Sequence, residues 1–244
     1  MKRAVTFSGR IFAAALLAAT LAGCAAPVIT EQEKQITKIV VLPVVSPYGR
    51  SAQVRGITSN VAYADWTQAA DNRARSESFS SAFDKERRTL GGKMTTALVS
   101  ELRKAGYEPT VFQGNRPTGN DAEDVDYAKL PTDDPVLHLW FDAAEMYSPA
   151  QTIDFMPRLN AGVRVVRPQR PKAYLLNEAF YYGADSRGEK YWSAPSDPKY
   201  RYKSFETLFA SEPQAVESMD AGVQAIAVLV VKEFKQRYPV PAAK

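Results

Sequence analysis

Cysteine and histidine are almost absent from this chain: its 244 residues include one of each. A single thiol excludes an intramolecular disulfide, so stability has to come from packing whatever the redox compartment. One cysteine and one histidine are too few for a structural zinc site, and no other metal or cofactor is expected. Asp121, Glu123, Asp124 and Asp126 offer hard oxygens, but they lack the Asp-x-Asp-x-Asp-Gly order of a calcium loop and read as a solvated surface. A phosphate cradle is missing too, because Leu90-Gly91-Gly92-Lys93 does not have the P-loop spacing. No Gly-x-Ser-x-Gly turn presents a nucleophile to His138, which lies inside a predicted strand and reads as a core or sheet-face residue.

A long membrane-spanning run is also missing at the N-terminus. Lys2, Arg3 and Arg10 precede an apolar stretch from Ile11 to Ala22, twelve residues against the roughly 20 that a helix needs to cross hydrocarbon. A basic region followed by a short apolar one is the pattern of an export signal. Ordinary cleavage near Cys24-Ala25-Ala26 would leave Pro27 after the scissile bond, which disfavours it. Leu21-Ala22-Gly23-Cys24 resembles the lipobox of bacterial lipoproteins, whose cysteine becomes the acylated first residue of the mature chain. The resemblance implies a signal peptide over residues 1–23 and a membrane anchor on Cys24. Several acyl chains hold a protein stably where one holds it only marginally. It also implies export to the outer membrane, since Ala25 stands where an aspartate favours retention in the inner one.

Charge of one sign is lacking once that segment is removed. Without Lys2, Arg3 and Arg10, 28 lysines and arginines face 27 acids. The apparent basicity disappears, and with it the electrostatic footprint that a nucleic-acid partner requires.

What remains fits one domain over residues 37–244, joined to the lipid by a small-residue tether over 24–36. Lys38 to Val45 is β-branched and apolar enough for a strand buried on both faces, with Pro43 marking a bulge or an edge. Phe79, Phe83, Leu90, Met94, Leu98 and Leu102 recur at three- and four-residue steps, the stripe of an amphipathic helix. Gly106 follows as its left-handed cap. Gly91-Gly92 either starts that helix or lets two backbones approach closely. Tyr107 to Phe112 returns as a short strand, and Gly114 to Asp134 is a loop. Three alternating runs then predict an antiparallel meander. In the first, Leu137, Leu139, Phe141 and Ala143 share a face; in the second, Leu159, Ala161, Val163 and Val165; in the third, Tyr174, Leu176, Phe180 and Tyr182. A last helix is expected from a Ser211/Gln214 capping box to Pro239. Its stripe is Val216, Met219, Val223, Ile226, Val230 and Phe234, widened by Val228, Leu229 and Val231. Asp220, Gln224 and Lys232 interrupt it too often for a membrane span.

The expected fold class is therefore α+β: a mixed, mostly antiparallel sheet of about five strands with two helices packed on one face. This order after a lipobox is similar to periplasmic lipoproteins of the TolB N-terminal type, which include the penicillin-binding-protein activator and curli-secretion lipoproteins. The secretion members need two long alternating hairpins, and neither 46–78 nor 184–210 alternates.

Those two irregular segments hold the candidate contact residues. Arg50, Arg55 and Trp66 suit an envelope protein partner. Tyr191, Trp192, Tyr200 and Tyr202, interleaved with cations, either stack on a ligand or cover the sheet. The leading expectation is a non-enzymatic outer-membrane lipoprotein, lipid-anchored on the periplasmic side, that acts as an accessory or binding protein. A cell-wall glycan or lipid binding module is the alternative. A wall hydrolase, whose paired carboxylates no spacing can reveal, comes third.

Overall fold

The strands form where apolar residues alternate and end where proline or an inserted residue breaks the ladder. In a computed structural model, the described residues are 36–47, 52–54, 74, 77–79, 81, 83–117, 122–148 and 154–240. Residues Gln35–Lys244 cluster as one compact unit. β1 (Lys38–Val41) stops before Pro43, so the proline closes the strand instead of bulging it. β2 (Ala52–Val54), β3 (Glu108–Val111), β4 (Val136–Ser148), β5 (Met156–Arg167), β6 (Arg170–Gly183) and β7 (Ser193–Ala194) complete a seven-stranded sheet in the order β3-β1-β4-β5-β6-β7, with β2 added to β4. β4, β5 and β6 are the expected antiparallel meander, while β1 runs parallel to both β3 and β4. The sheet is mixed, and its longest ladders are antiparallel.

Both faces of β1 are buried, as its continuous apolar run requires. Ile39 and Val41 join the main core, and Val40 and Leu42 join a second, smaller one. The second core lies on the opposite face, where Tyr127, Leu130 and Val125 of the 112–134 segment cover Val136 and Val166. The stretch from Gly114 to Asp134, read from its composition as a loop, holds a 3-10 turn at Tyr127–Lys129.

The main core is closed by α1 (Leu90–Lys104) and α3 (Glu212–Arg237), with the short α2 (Phe205–Ala210) before the latter. All six residues of the predicted first stripe are buried, although a turn at Arg88 and Thr89 divides Phe79 and Phe83 from α1. Gly91 lies within α1 because two backbones meet there: a Cβ would sit 2.3 Å from the carbonyl of Val44. Gly106 adopts φ +98°, and the Gly106 and Tyr107 amides donate to the carbonyls of Arg103 and Leu102, both at 3.0 Å, completing a Schellman cap.

Four local expectations are corrected. The register of β4 shifts between Phe141 and Ala143, and past this bulge Ala144 and Met146 enter the core where Ala143 was expected. A similar irregularity in the β5–β6 ladder turns Tyr174 to the opposite face, where it is exposed, and leaves Leu175 in the core. Ser211 makes no side-chain cap; Ser204 caps α2 instead through the Thr207 amide, and Gln214 donates to the carbonyl of Lys199. Val228 is exposed, so the apolar face of α3 is narrower than its sequence implies. Among the described residues α3 is the one helix long and apolar enough to cross a bilayer, but half of that window is buried in the domain.

Candidate functional site

In β5, Arg158, Asn160 and Arg164 alternate with Leu159, Ala161 and Val163, so the strand offers the core its apolar side and the other face a polar row. Arg158 faces Glu145 across the β4–β5 ladder and donates to its carboxylate at 2.9 Å. Its Nε donates to Asp185 Oδ2 at 2.7 Å, and the guanidinium lies 4.5 Å from the centre of the Tyr147 ring. Asn160 Nδ2 donates to the same Asp185 oxygen at 2.6 Å, while its buried Oδ1 has no hydrogen-bond partner. Burial raises the Glu145 carboxyl, and Arg158 opposes that shift.

Asp185 carries this network to a cavity of about 520 Å³ lined by Tyr181, Ala184, Asp185, Ser186, Arg187 and Trp192. Tyr181 and Trp192 meet edge to face, their ring centres 5.6 Å apart. The wall between them is a turn that only glycine can start. Gly183 has φ +82°, and a Cβ there would lie 1.8 Å from the carbonyl of Pro157. Buried Ser193 fixes the turn by accepting from the Arg187 amide at 2.9 Å and pairing with Ser186 Oγ at 3.0 Å.

A second polar cluster lies beneath the 112–134 segment. His138 is fully buried, with Nδ1 2.8 Å from Tyr127 Oη and Nε2 2.7 Å from Arg116 and 3.0 Å from the carbonyl of Ala122. Burial, then the Arg116 and Arg164 cations, pull its pKa down to about 3, so the ring is neutral. Arg164 lies 4.8 Å from the Trp140 ring and 5.7 Å from that of Tyr174, on the exposed side of this cluster. Shut from solvent, His138 touches no open surface.

The four aromatic candidates separate. Tyr191 is exposed and Trp192 lines the cavity. Tyr200 is buried and ties its loop to α3, donating to Glu217 at 2.9 Å beside Lys199, which reaches the same oxygen at 2.8 Å. Tyr202 is buried in the main core, paired through its backbone with Phe155; burial pushes its phenol up to about 12. Neither ring is left to stack on a ligand from solvent. Cys24, Arg50, Arg55 and Trp66 lie outside the described residues. Of the acidic run, Asp126 pairs with Lys129 at 2.9 Å, and among the described residues no group of three or more His, Cys, Asp or Glu is placed to hold a metal ion.

Asp185, Asn160, Arg158 and Tyr181 escaped the sequence reading. A signal was present: Arg158, Asn160 and Arg164 fall at even spacing in an otherwise apolar strand and mark a face that looks away from the core.

The sequence matches no family model and no curated protein. Among solved structures it is similar to lipoprotein GNA1162 from Neisseria meningitidis, at 14% identity and a TM-score of 0.33, over 76% of this chain and 99% of that one. It is likewise similar to a neuraminyllactose-binding hemagglutinin homolog from Helicobacter pylori, at 12% identity and a TM-score of 0.33, over 87% and 91% of the two chains. These are distant likenesses of shape, one of them to a bacterial lipoprotein.

Proposed function

We propose that this chain is a lipoprotein of the outer membrane, anchored through Cys24, that acts without catalysis as an accessory or binding protein in the cell envelope. The observation that carries the reading is the division of the sheet. Its helical face is closed by α1 and α3, whereas its other face keeps a polar network of Arg158, Glu145, Asp185 and Asn160, with Asp185 at the edge of an open cavity. Such a face is built for contact, and the sole histidine is sealed away from it. The lipobox supplies the address, and Arg50, Arg55 and Trp66 supply contact residues for an envelope protein partner.

The anchor and the partner are tested together in cells. Wild type incorporates labelled palmitate and fractionates with outer membranes, whereas Cys24→Ser carries no label. Crosslinked membranes yield a captured protein that is lost when Arg50, Arg55 and Trp66 are changed together to alanine. An unlabelled wild-type chain removes the anchor, and capture that persists in the triple variant removes the assigned surface.

A further inference from the structure

We infer that the cavity between β6 and the 183–193 turn is a binding site for a neutral, hydroxyl-rich ligand of the saccharide class. The inference goes beyond the anchoring and partner reading and does not depend on Cys24.

Charge selects the ligand first. The lining carries one carboxylate, Asp185, already paired with Arg158, and one guanidinium, Arg187. A charged ligand therefore meets a like charge in the lining as well as an opposite one, and gives up its hydration for little net attraction. A neutral ligand meets no like charge and can hydrogen-bond to both kinds of group. Asp185 Oδ2 is already taken by Arg158 and Asn160, which leaves Oδ1 to accept from a hydroxyl. Arg187 is exposed at the rim, and a guanidinium can only donate. Asn160, 6% exposed, adds an acceptor without a donor next to the Asp185 carboxylate, so the cluster is one donor short. Ligands that carry donor and acceptor on every carbon answer this set.

Ring chemistry selects it second. Tyr181 and Trp192 give the cavity an apolar wall amid polar lining, as a molecule with C–H faces and hydroxyl edges requires. The wall is also preformed. Gly183, Pro157 and Ser193 fix the turn through contacts within the chain, so little ordering entropy is lost on binding. A volume of about 520 Å³ admits one or two sugar rings.

The test uses the full-length protein in detergent micelles, titrated calorimetrically with maltotriose, trehalose and the β-1,4 trimer of N-acetylglucosamine. N-acetylneuraminate and glucosamine serve as charged counterparts. At least one neutral probe is expected to bind saturably and more tightly than either charged sugar, with Trp192→Ala and Asp185→Asn each weakening it by about tenfold or more. Arg187→Ala changes an exposed side chain and leaves the fold untouched; it too is expected to weaken the neutral probe, and it carries the test should Trp192→Ala fail to fold. No saturable binding by any neutral probe overturns the inference. So does tighter binding of a charged sugar, or neutral-sugar affinity unchanged in Arg187→Ala.

Discussion

His138 is held neutral by its surroundings, and that has a cost that depends on pH. Its folded pKa of about 3 lies below the ordinary 6.5, because burial and the facing Arg116 and Arg164 disfavour the imidazolium while Tyr127 bridges the ring to the covering segment. As pH falls through 6.5, the unfolded chain takes up a proton that the folded one refuses. The stabilisation is complete above that value and is lost toward pH 3. From pH 7 to pH 5 the loss from this one group is about 2 kcal/mol. Urea melts at the two values should show wild type losing that much more stability than His138→Gln, and an equal loss in both would mean that the ring titrates freely when folded. The sequence placed His138 in a strand correctly. It did not show the cover, because Arg116, Ala122 and Tyr127 come from an irregular segment with no period to read. The aromatic candidates failed to separate for a related reason. Tyr191 and Tyr200 look alike in composition, and only the packing against Glu217 and α3 distinguishes an exposed ring from a buried one.

At the scale of elements, the stripes of α1 and α3 and the three long strands were legible because period is a local property of sequence. The bulge in β4 was not. One unpaired residue, Asp142, sits between Phe141 and Ala143 and exchanges the faces of everything after it, and its carboxylate accepts the Trp140 indole N–H at 2.9 Å. Close approach was one of two readings of Gly91-Gly92, but elsewhere it is hidden until the partner is placed. Gly222 lies where α3 crosses the sheet, and a Cβ there would stand 2.6 Å from the Tyr182 ring; Gly92, on α1, has nothing within 4 Å. Helix propensity alone favours alanine at both sites by about 1 kcal/mol. Contact reverses the sign at one of them. Gly92→Ala should stabilise the chain by about 0.5–1 kcal/mol, while Gly222→Ala should destabilise it by about 1–3 kcal/mol through overpacking against a ring that cannot swing aside. Denaturant midpoints of the two variants check this directly, and a stabilised Gly222→Ala would mean that α3 stands off the sheet.

For the molecule as a whole, the decisive feature is that the main core is continuous. Ile39 and Val41 of β1, Leu98 of α1, Leu159 and Val163 of β5, and Ile226 and Val230 of α3 belong to one buried cluster, so neither long helix has a core of its own to retain if the other leaves. The α+β architecture could be read from the order of elements. A second buried face of β1 could be read too, but not its cover, since Val125, Tyr127 and Leu130 stand among polar residues. Continuity predicts that a single charge in α3 acts on everything. Ile226 is fully buried, and Ile226→Asp puts an unpaired carboxylate among apolar side chains at a cost of several kcal/mol, comparable to the whole stability margin of a domain. Val228 sits two residues away on the same helix but is 42% exposed, and Val228→Asp should stay within about 0.5 kcal/mol of wild type. The pair separates burial from helix propensity, because both substitutions introduce the same side chain into the same helix. Near-ultraviolet circular dichroism should be lost throughout in Ile226→Asp, including the signal from Trp140 on the far face of the sheet, and retained in Val228→Asp. Equal melting of the two variants, or loss of only part of the aromatic signal, would show that α3 packs on the sheet without belonging to its cooperative core.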